Sequence, residues 1–296
     1  MPRRRSSSAL LALELRRLGT PYVLSVSDLW PRSAVEVGAL SDERAVRAAE
    51  RLEAAAYGRA SRVVGLTRGI CDHVRTWLAD EKVAFLPNGV DPELFASFRP
   101  PVAANGSYSV VYAGTVGLAQ GLDALVPAAE DLRGEGVTFT VVGDGAAREV
   151  LARLKRVRGL DNLDLLGPRP RSEVLGLLQG ADAALVSLRD TPVLHGAVPS
   201  KLYEAMASAR PVVLVAKGEA ARLVDDVGCG AVVPPGRPEL LADAVRSIRR
   251  SGQAATMGRR GQEFVFTHRD VNAHARHLES LLVEVVSEHA GRDPAG

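Results

Sequence analysis

The chain is short of the features that announce the simplest functional classes. Its 296 residues include two cysteines, Cys71 and Cys229, far apart and in no paired motif. That excludes a small disulfide scaffold and makes a reduced, cytoplasmic setting the simplest expectation. No run of about 18 or more uncharged apolar residues occurs, so no segment reads as a membrane-spanning helix. A surplus of charge is also missing: 37 Lys and Arg against 35 Asp and Glu leave +2. Such a balance gives no electrostatic footprint of a nucleic-acid binder. Lysine itself is scarce. Thirty-three basic residues are Arg and only four are Lys (Lys82, Lys155, Lys201 and Lys217), so each Lys is worth locating.

What is present is an ordinary globular balance, 46% hydrophobic and 24% charged. The length predicts two domains or one large one. The opening MPRRRSSSALLALELRR has a basic head like a signal peptide, but Glu14, Arg16 and Arg17 break its apolar core. It reads as an amphipathic helix over about 8–18. Its basic first turn is either a solvated end or a contact for anionic lipid at the inner face of a cytoplasmic membrane.

From about residue 105, short apolar runs alternate with helical stretches. YSVVYAG (108–114), TFTVVGDG (138–145), LDLLG (163–167), AALVSL (183–188), PVVLVA (211–216) and AVVPP (231–235) read as strands. Helices are expected over 121–134, 146–158, 172–180, 199–209 and 218–228. Strands apolar throughout and separated by helices predict a parallel sheet covered on both faces, a complete doubly wound domain. The first hundred residues show three such strands (21–29, 62–67 and 82–88) and begin on a helix, without the strand and glycine-rich turn that normally open such a domain. The segment 92–107 has a linker's Pro, Gly and Ser content, and 270–289 reads as a closing helix. The expected organisation is a partial domain over 1–104, a complete one over 105–268, and a helix and tail over 269–296. The histidines of the closing helix lack the Asp, Glu or Cys partners of a metal set, so no metal is expected.

Two strand-to-helix turns are the candidates for chemistry. In VPSKLYEAMASARPVV (198–213), Pro199 suits the first helical position, where no N–H is needed. Ser200 and Lys201 then occupy the first turn, whose N–H groups and positive dipole end attract an anion. Glu204 shares a face with Ser200. Lys201 on a phosphate and Glu204 on ribose hydroxyls would hold a nucleotide; a surface helix with a Lys/Glu pair explains the same spacing. In YAGTVGLAQG (112–121), Gly114 and Gly117 would let backbone N–H groups approach a diphosphate, although G-x-x-G-x-x-x-G stands where the dinucleotide fingerprint has G-x-G-x-x-G. Ordinary turn glycines are the other reading. Both turns fall on the carboxyl edge of one parallel sheet, where such folds bind ligands.

VVGDG (141–145, with Gly143 and Asp144) and LLGPRPR (165–171, with Arg169) are further loops on that edge. They either touch a base or ribose or are plain turns. His195, just ahead of the Lys201 helix, could reach a sugar or phosphate, or have no role. SVSDLWP (25–31) ends a strand with Asp28 and Trp30 turned to the expected cleft, where a carboxylate can orient or deprotonate a hydroxyl or simply cap a turn. NGVD (88–91) reads as the turn between the halves.

Together DLWPRSAVEVGAL, FLPNGVD, YAGTVGLAQGLD, VVGDG, VPSKLYEAMASARPVV and GCGAVVPPG resemble glycosyltransferase family 4, in particular the branch of L-fucosamine transferases of bacterial surface-polysaccharide synthesis. The resemblance runs from about residue 20 to 265. It implies the GT-B architecture of two Rossmann-like halves, here with the first incomplete. It also implies sugar transfer from a nucleotide-sugar donor to a glycan or polyprenyl-linked acceptor with retained configuration, without metal or other cofactor. By the same resemblance Glu204 matches the ribose-binding acid, Gly114 to Gly117 the diphosphate loop, and the stretch near Arg169 the base contact. Three departures stand out. The first glutamate of the family's spaced pair falls on Gly196. Thr115 and Gln120 occupy the positions of the Arg and Lys that usually flank the glycine loop, which shifts the phosphate-binding charge to Lys201. Ser27 or Asp28 replaces a histidine of the acceptor half, making Asp28 the candidate there. The alternatives are a non-catalytic, truncated fragment that still binds a nucleotide-sugar, and a nucleotide-sugar 2-epimerase on the same scaffold.

Overall fold

A computed structural model describes residues 19–36, 38, 40–96 and 107–291. The helix expected over about 8–18 and most of the linker-like stretch lie outside the described residues. The chain divides into two compact units. One holds the described residues up to Asn88 together with those from Val271 onward, and the other is Gly89–Asp270.

In the first unit β1 (Val23–Val26), β2 (Arg62–Gly65) and β3 (Val83–Phe85) form a parallel sheet in the order β1-β2-β3. Its crossovers are helices with side-chain caps. Asp42 Oδ1 accepts from Ala45 N at 2.8 Å to start the helix Glu43–Arg59, and Thr67 Oγ1 accepts from Ile70 N at 3.1 Å to start Arg68–Arg75. Such caps satisfy N–H groups that no preceding turn can reach. The closing helix Val271–Ala290 buries Leu281 and Val285 and is tied to β2 by Arg62, whose Nη1 donates to Glu288 Oε2 at 3.2 Å.

In the second unit β4 (Tyr108–Ala113), β5 (Val137–Val142), β6 (Leu163–Leu166), β7 (Ala183–Ser187), β8 (Val212–Val215) and β9 (Gly230–Val233) form one parallel sheet, ordered β6-β5-β4-β7-β8-β9. Chain progress reverses direction between β4 and β7, the switch point of a doubly wound domain. Alternate side chains feed two cores. Val111, Ala113, Val186 and Leu214 enter one, covered by the helices Arg171–Gly180, Ser200–Ala207, Glu219–Val227 and Ala254–His268. Val110, Tyr112, Leu185 and Val213 enter the other, under Leu125–Asp131, Arg148–Arg158 and Pro238–Ser251. The helices Pro238–Ser251 and Ala254–His268, beyond those expected from the sequence, complete the layers.

The expected linker begins as structure. Pro92–Ala96 is a helical turn whose Phe95 is buried in the first of these cores and whose Phe95 carbonyl accepts from Gln179 Nε2 at 3.0 Å. Apolar Phe95 outweighs the Pro, Gly and Ser content around it. Val90, in the NGVD turn, makes a parallel bridge with Asp270.

Candidate functional site

At the switch point the carboxyl ends of β4 and β5 meet the start of the helix Ser200–Ala207. Extended Pro199 (φ −68°, ψ 139°) immediately precedes that helix and occupies the capping position rather than the expected first helical one. Its fixed φ suits either place, and the helix starts one residue later with Ser200. A cleft of about 320 Å³ opens there, lined among others by Gly114, Thr115, Gly143, Arg169, Ser200, Lys201 and Glu204. Seven of the residues singled out in the sequence are thus brought together. The size is that of a small-ligand pocket.

Lys201 belongs to a helix on one face of the sheet, whereas Tyr112 packs into the core on the other. The lysine crosses the carboxyl edge between them. Its Nζ donates to the Tyr112 hydroxyl and stands 4.4 Å from the ring centroid, and that hydroxyl in turn donates to the Thr115 carbonyl at 2.6 Å. Burial pulls the Lys201 ammonium down to about 8, against a smaller opposing pull from Glu204, and pushes the Tyr112 hydroxyl upward. Desolvation disfavours the charged form of each group.

The crossing depends on glycine. A Cβ on Gly114, at φ +135°, would stand 3.2 Å from both Cε and Nζ of Lys201. A Cβ on Gly143, at φ +139°, would lie 2.0 Å from the Gly114 carbonyl oxygen, an impossible contact. The glycines therefore serve close packing, which modifies the expectation of a turn that offers its amides. Gly114 N donates to Val142 O at 2.9 Å, Val116 N to Asp144 O at 2.8 Å, and Gly117 N to the Gln120 side-chain oxygen at 3.0 Å. Those three donors are spent holding the turn. Charge at the cleft floor comes instead from Lys201 and the start of its helix.

Glu204 lies one turn deeper, 3.5 Å from the Arg171 guanidinium, a partner the sequence reading did not single out. Gly117, Gln120 and Asp144 are outside the cleft lining. Gln120 braces the turn, and Gly117 lines a separate hollow of about 280 Å³ beside Leu118, Val150 and Arg189. His195 is also outside the lining. It belongs to an ion-paired group at the ends of β7 and β8, where Asp190 accepts from Lys217 Nζ at 2.6 Å and lies 2.7 Å from His195 Nε2. Those two partners, Lys217 first, hold the Asp190 carboxyl below its usual range. Asp28 follows β1 in the other unit, half-buried. Tyr112 was the main omission from the sequence reading. A tyrosine inside an apolar strand gives no sign that its hydroxyl reaches the strand's end.

A doubly wound parallel sheet with a cleft at its switch point defines a domain of Rossmann type. The comparisons narrow that class. Residues 107–251 match the family described as glycosyl transferases group 1, and residues 4–89 match the glycosyl transferase 4-like domain. The chain belongs to these glycosyltransferases, family 4 of the GT-B fold. It is 29% identical over 242 residues to the probable glycosyltransferase WbjE of Pseudomonas aeruginosa, covering 78% of this chain and 60% of that one. Across the three curated relatives it matches, it spans between 36% and 60% of their length. Among solved structures it resembles Anabaena HepE in complex with UDP-glucose, with TM-score 0.78, 19% identity, and coverage of 95% and 77% of the two chains. WaaG, a glycosyltransferase involved in lipopolysaccharide biosynthesis, aligns with TM-score 0.69, 18% identity, and coverage of 91% and 80%. These likenesses establish the GT-B fold. Among the described residues no helix is long and apolar enough to cross a membrane.

Proposed function

We propose that the chain transfers a sugar, with retention of configuration, from a nucleotide-sugar to a saccharide or lipid-linked acceptor in surface-polysaccharide synthesis. The observation that carries this is the cleft that joins Lys201, the Gly114 and Gly143 turns and Glu204 at the switch point. A buried ammonium at a helix start suits a diphosphate, and a carboxylate one turn deeper suits a pair of ribose hydroxyls. HepE, which shares the fold, was crystallised with UDP-glucose, and WaaG is involved in lipopolysaccharide synthesis; both support the reading. Arg169, exposed at the rim, is the candidate neighbour of the base. Gly117, Gln120 and Asp144 act by shaping the turn, while His195 acts from outside the cleft. The other unit contributes the acceptor side, with Asp28 the candidate there.

In the chemistry proposed, the bond between the anomeric carbon and the diphosphate oxygen breaks and the acceptor hydroxyl bonds on the face just vacated. The hydroxyl proton passes to the departing phosphate, giving a glycoside and a nucleoside diphosphate. A single displacement by an enzyme base would invert. Lys201 and the helix start stabilise the departing charge, with no metal needed in this scheme.

Incubation with UDP-, GDP- and dTDP-sugars, followed by thermal shift and by release of nucleoside diphosphate, tests the proposal. Stabilisation by one nucleotide class together with acceptor-dependent release is the expected result. Binding without release would favour the non-catalytic reading, and epimer formation with no acceptor present the epimerase.

A further inference from the structure

Lys201 is held by something outside its own helix. Its ammonium crosses from one face of the sheet to the other and ends on a hydroxyl that also fixes the glycine turn. One oxygen thus joins the charge at the cleft floor to the Thr115 carbonyl in the cleft wall. We propose that Tyr112 is the positioning residue of the cleft, its hydroxyl holding the Lys201 ammonium beneath the turn and keeping it protonated for an incoming diphosphate. The inference rests on the diphosphate reading given above, but its first half concerns Lys201 and Tyr112 alone.

The physical case runs through desolvation. Burial by itself favours the neutral amine. Each compensating contact therefore adds to the fraction of lysine that carries charge. Glu204 on the same helix favours the ammonium, but Arg171 competes for that carboxylate at 3.5 Å and Arg169 adds positive charge to the lining. Tyr112, on β4, supplies the remaining support through a hydroxyl lone pair directed to Nζ. Because its own proton is committed to Thr115 O, its lone pairs are directed to the lysine. A hydrogen bond to a charged group is about twice as strong as a neutral one, so the hydroxyl favours the ammonium over the amine. Removing the oxygen while keeping the ring leaves the burial and takes away the bond.

The scarcity of lysine makes this measurable. With ¹³C-labelled lysine the protein gives signals from only four residues, and Lys201→Arg assigns the one in question. In the wild type, Lys201 is expected to titrate near 8. In Tyr112→Phe it should titrate about one unit lower, and bound UDP should raise it in the wild type. The Tyr112 ring carbon bearing the hydroxyl should shift at the same pH as Lys201, a readout that needs no variant. Calorimetry would show the UDP affinity of the wild type falling as pH rises above Lys201's value, with the fall starting earlier in Tyr112→Phe and absent in Lys201→Arg. A purely structural tyrosine would lower affinity equally at every pH. Titration of Lys201 at the ordinary lysine value, or a Tyr112→Phe value unmoved or raised, overturns the proposal. If Tyr112→Phe lowers the value but UDP, GDP and dTDP all leave the wild-type titration unchanged, Tyr112 holds Lys201 as proposed and the nucleotide reading of the cleft fails instead.

Discussion

Two of the four lysines stand at the same sheet edge in opposite circumstances. Lys217, just past β8, is half exposed and bonded to Asp190, so its charge is already answered by a carboxylate. Lys201 is mostly buried and meets a neutral hydroxyl, with the acid on its own helix, Glu204, shared with Arg171. A charge neutralised inside the fold does little for a ligand. One that is desolvated and only partly compensated gains most when an anion arrives. The lysine that looks less stable is thus the one suited to binding.

The strongest way to break this comparison is to remove each charge in turn. Lys201→Ala should weaken nucleotide-sugar affinity or turnover by about 100-fold, the usual scale for losing a group that stabilises a developing charge. Lys217→Ala should change either by less than about twofold. Paired titrations and initial rates decide the matter, and comparable losses in the two variants would end the distinction drawn here.

Alkaline stability is the next test. Lys201 has a folded value near 8, below that of a free lysine, so the unfolded chain holds more protons between the two values. Stability therefore rises with pH across that window as the folded protein sheds an ill-solvated charge. Lys201→Met has no such proton. Its stability advantage over the wild type should be greatest below about pH 8 and should shrink as pH approaches about 10. Denaturant midpoints measured for both proteins at matched pH report the difference.

Gly114→Ala sharpens the comparison from the neighbouring strand. The added methyl would press on Cε and Nζ of Lys201 from 3.2 Å, at a φ of +135° that side chains rarely adopt. Displacing the ammonium should cost about tenfold in UDP affinity and about 1–3 kcal/mol of stability. The same change at exposed Gly134, which also has positive φ but meets nothing within 4 Å, should leave affinity unaltered. Isothermal calorimetry on both variants separates backbone strain from displacement of the lysine.

How much of this was legible in the sequence follows from which forces act locally. The second unit's strands and their parallel order were readable because each strand is an unbroken apolar run. Lys201, Glu204 and Gly114 were readable because a helix start and a strand-end turn carry local signatures. The Tyr112 contact was not, since it joins residues 89 positions apart across two layers of the fold. Nor were the jobs of the turn's amides, which are fixed by Val142 and Asp144 on the next strand and loop. His195 shows the converse: a histidine five residues ahead of a helix start suggests the cleft, yet Asp190, itself paired with Lys217, holds it elsewhere, and that pairing has no sequence signature.

The smallest expected effect concerns that second group. Asp190→Asn keeps the side chain's shape and removes the charge that Lys217 and His195 share. These ion pairs are exposed, so screening by water keeps the loss small. The carboxyl's value is lowered in the fold, first by Lys217 and then by His195. Its contribution is therefore present above the value of an unfolded aspartate and fades as pH falls through the lower folded one. Wild type and Asp190→Asn should accordingly differ slightly near neutrality and converge in acid. UDP affinity should stay within about twofold, because the group lies outside the cleft lining. A tenfold loss of affinity in Asp190→Asn, with stability unchanged, would show that the Lys217 group serves the ligand after all, and the contrast between the two lysines would have to be redrawn as a division of labour.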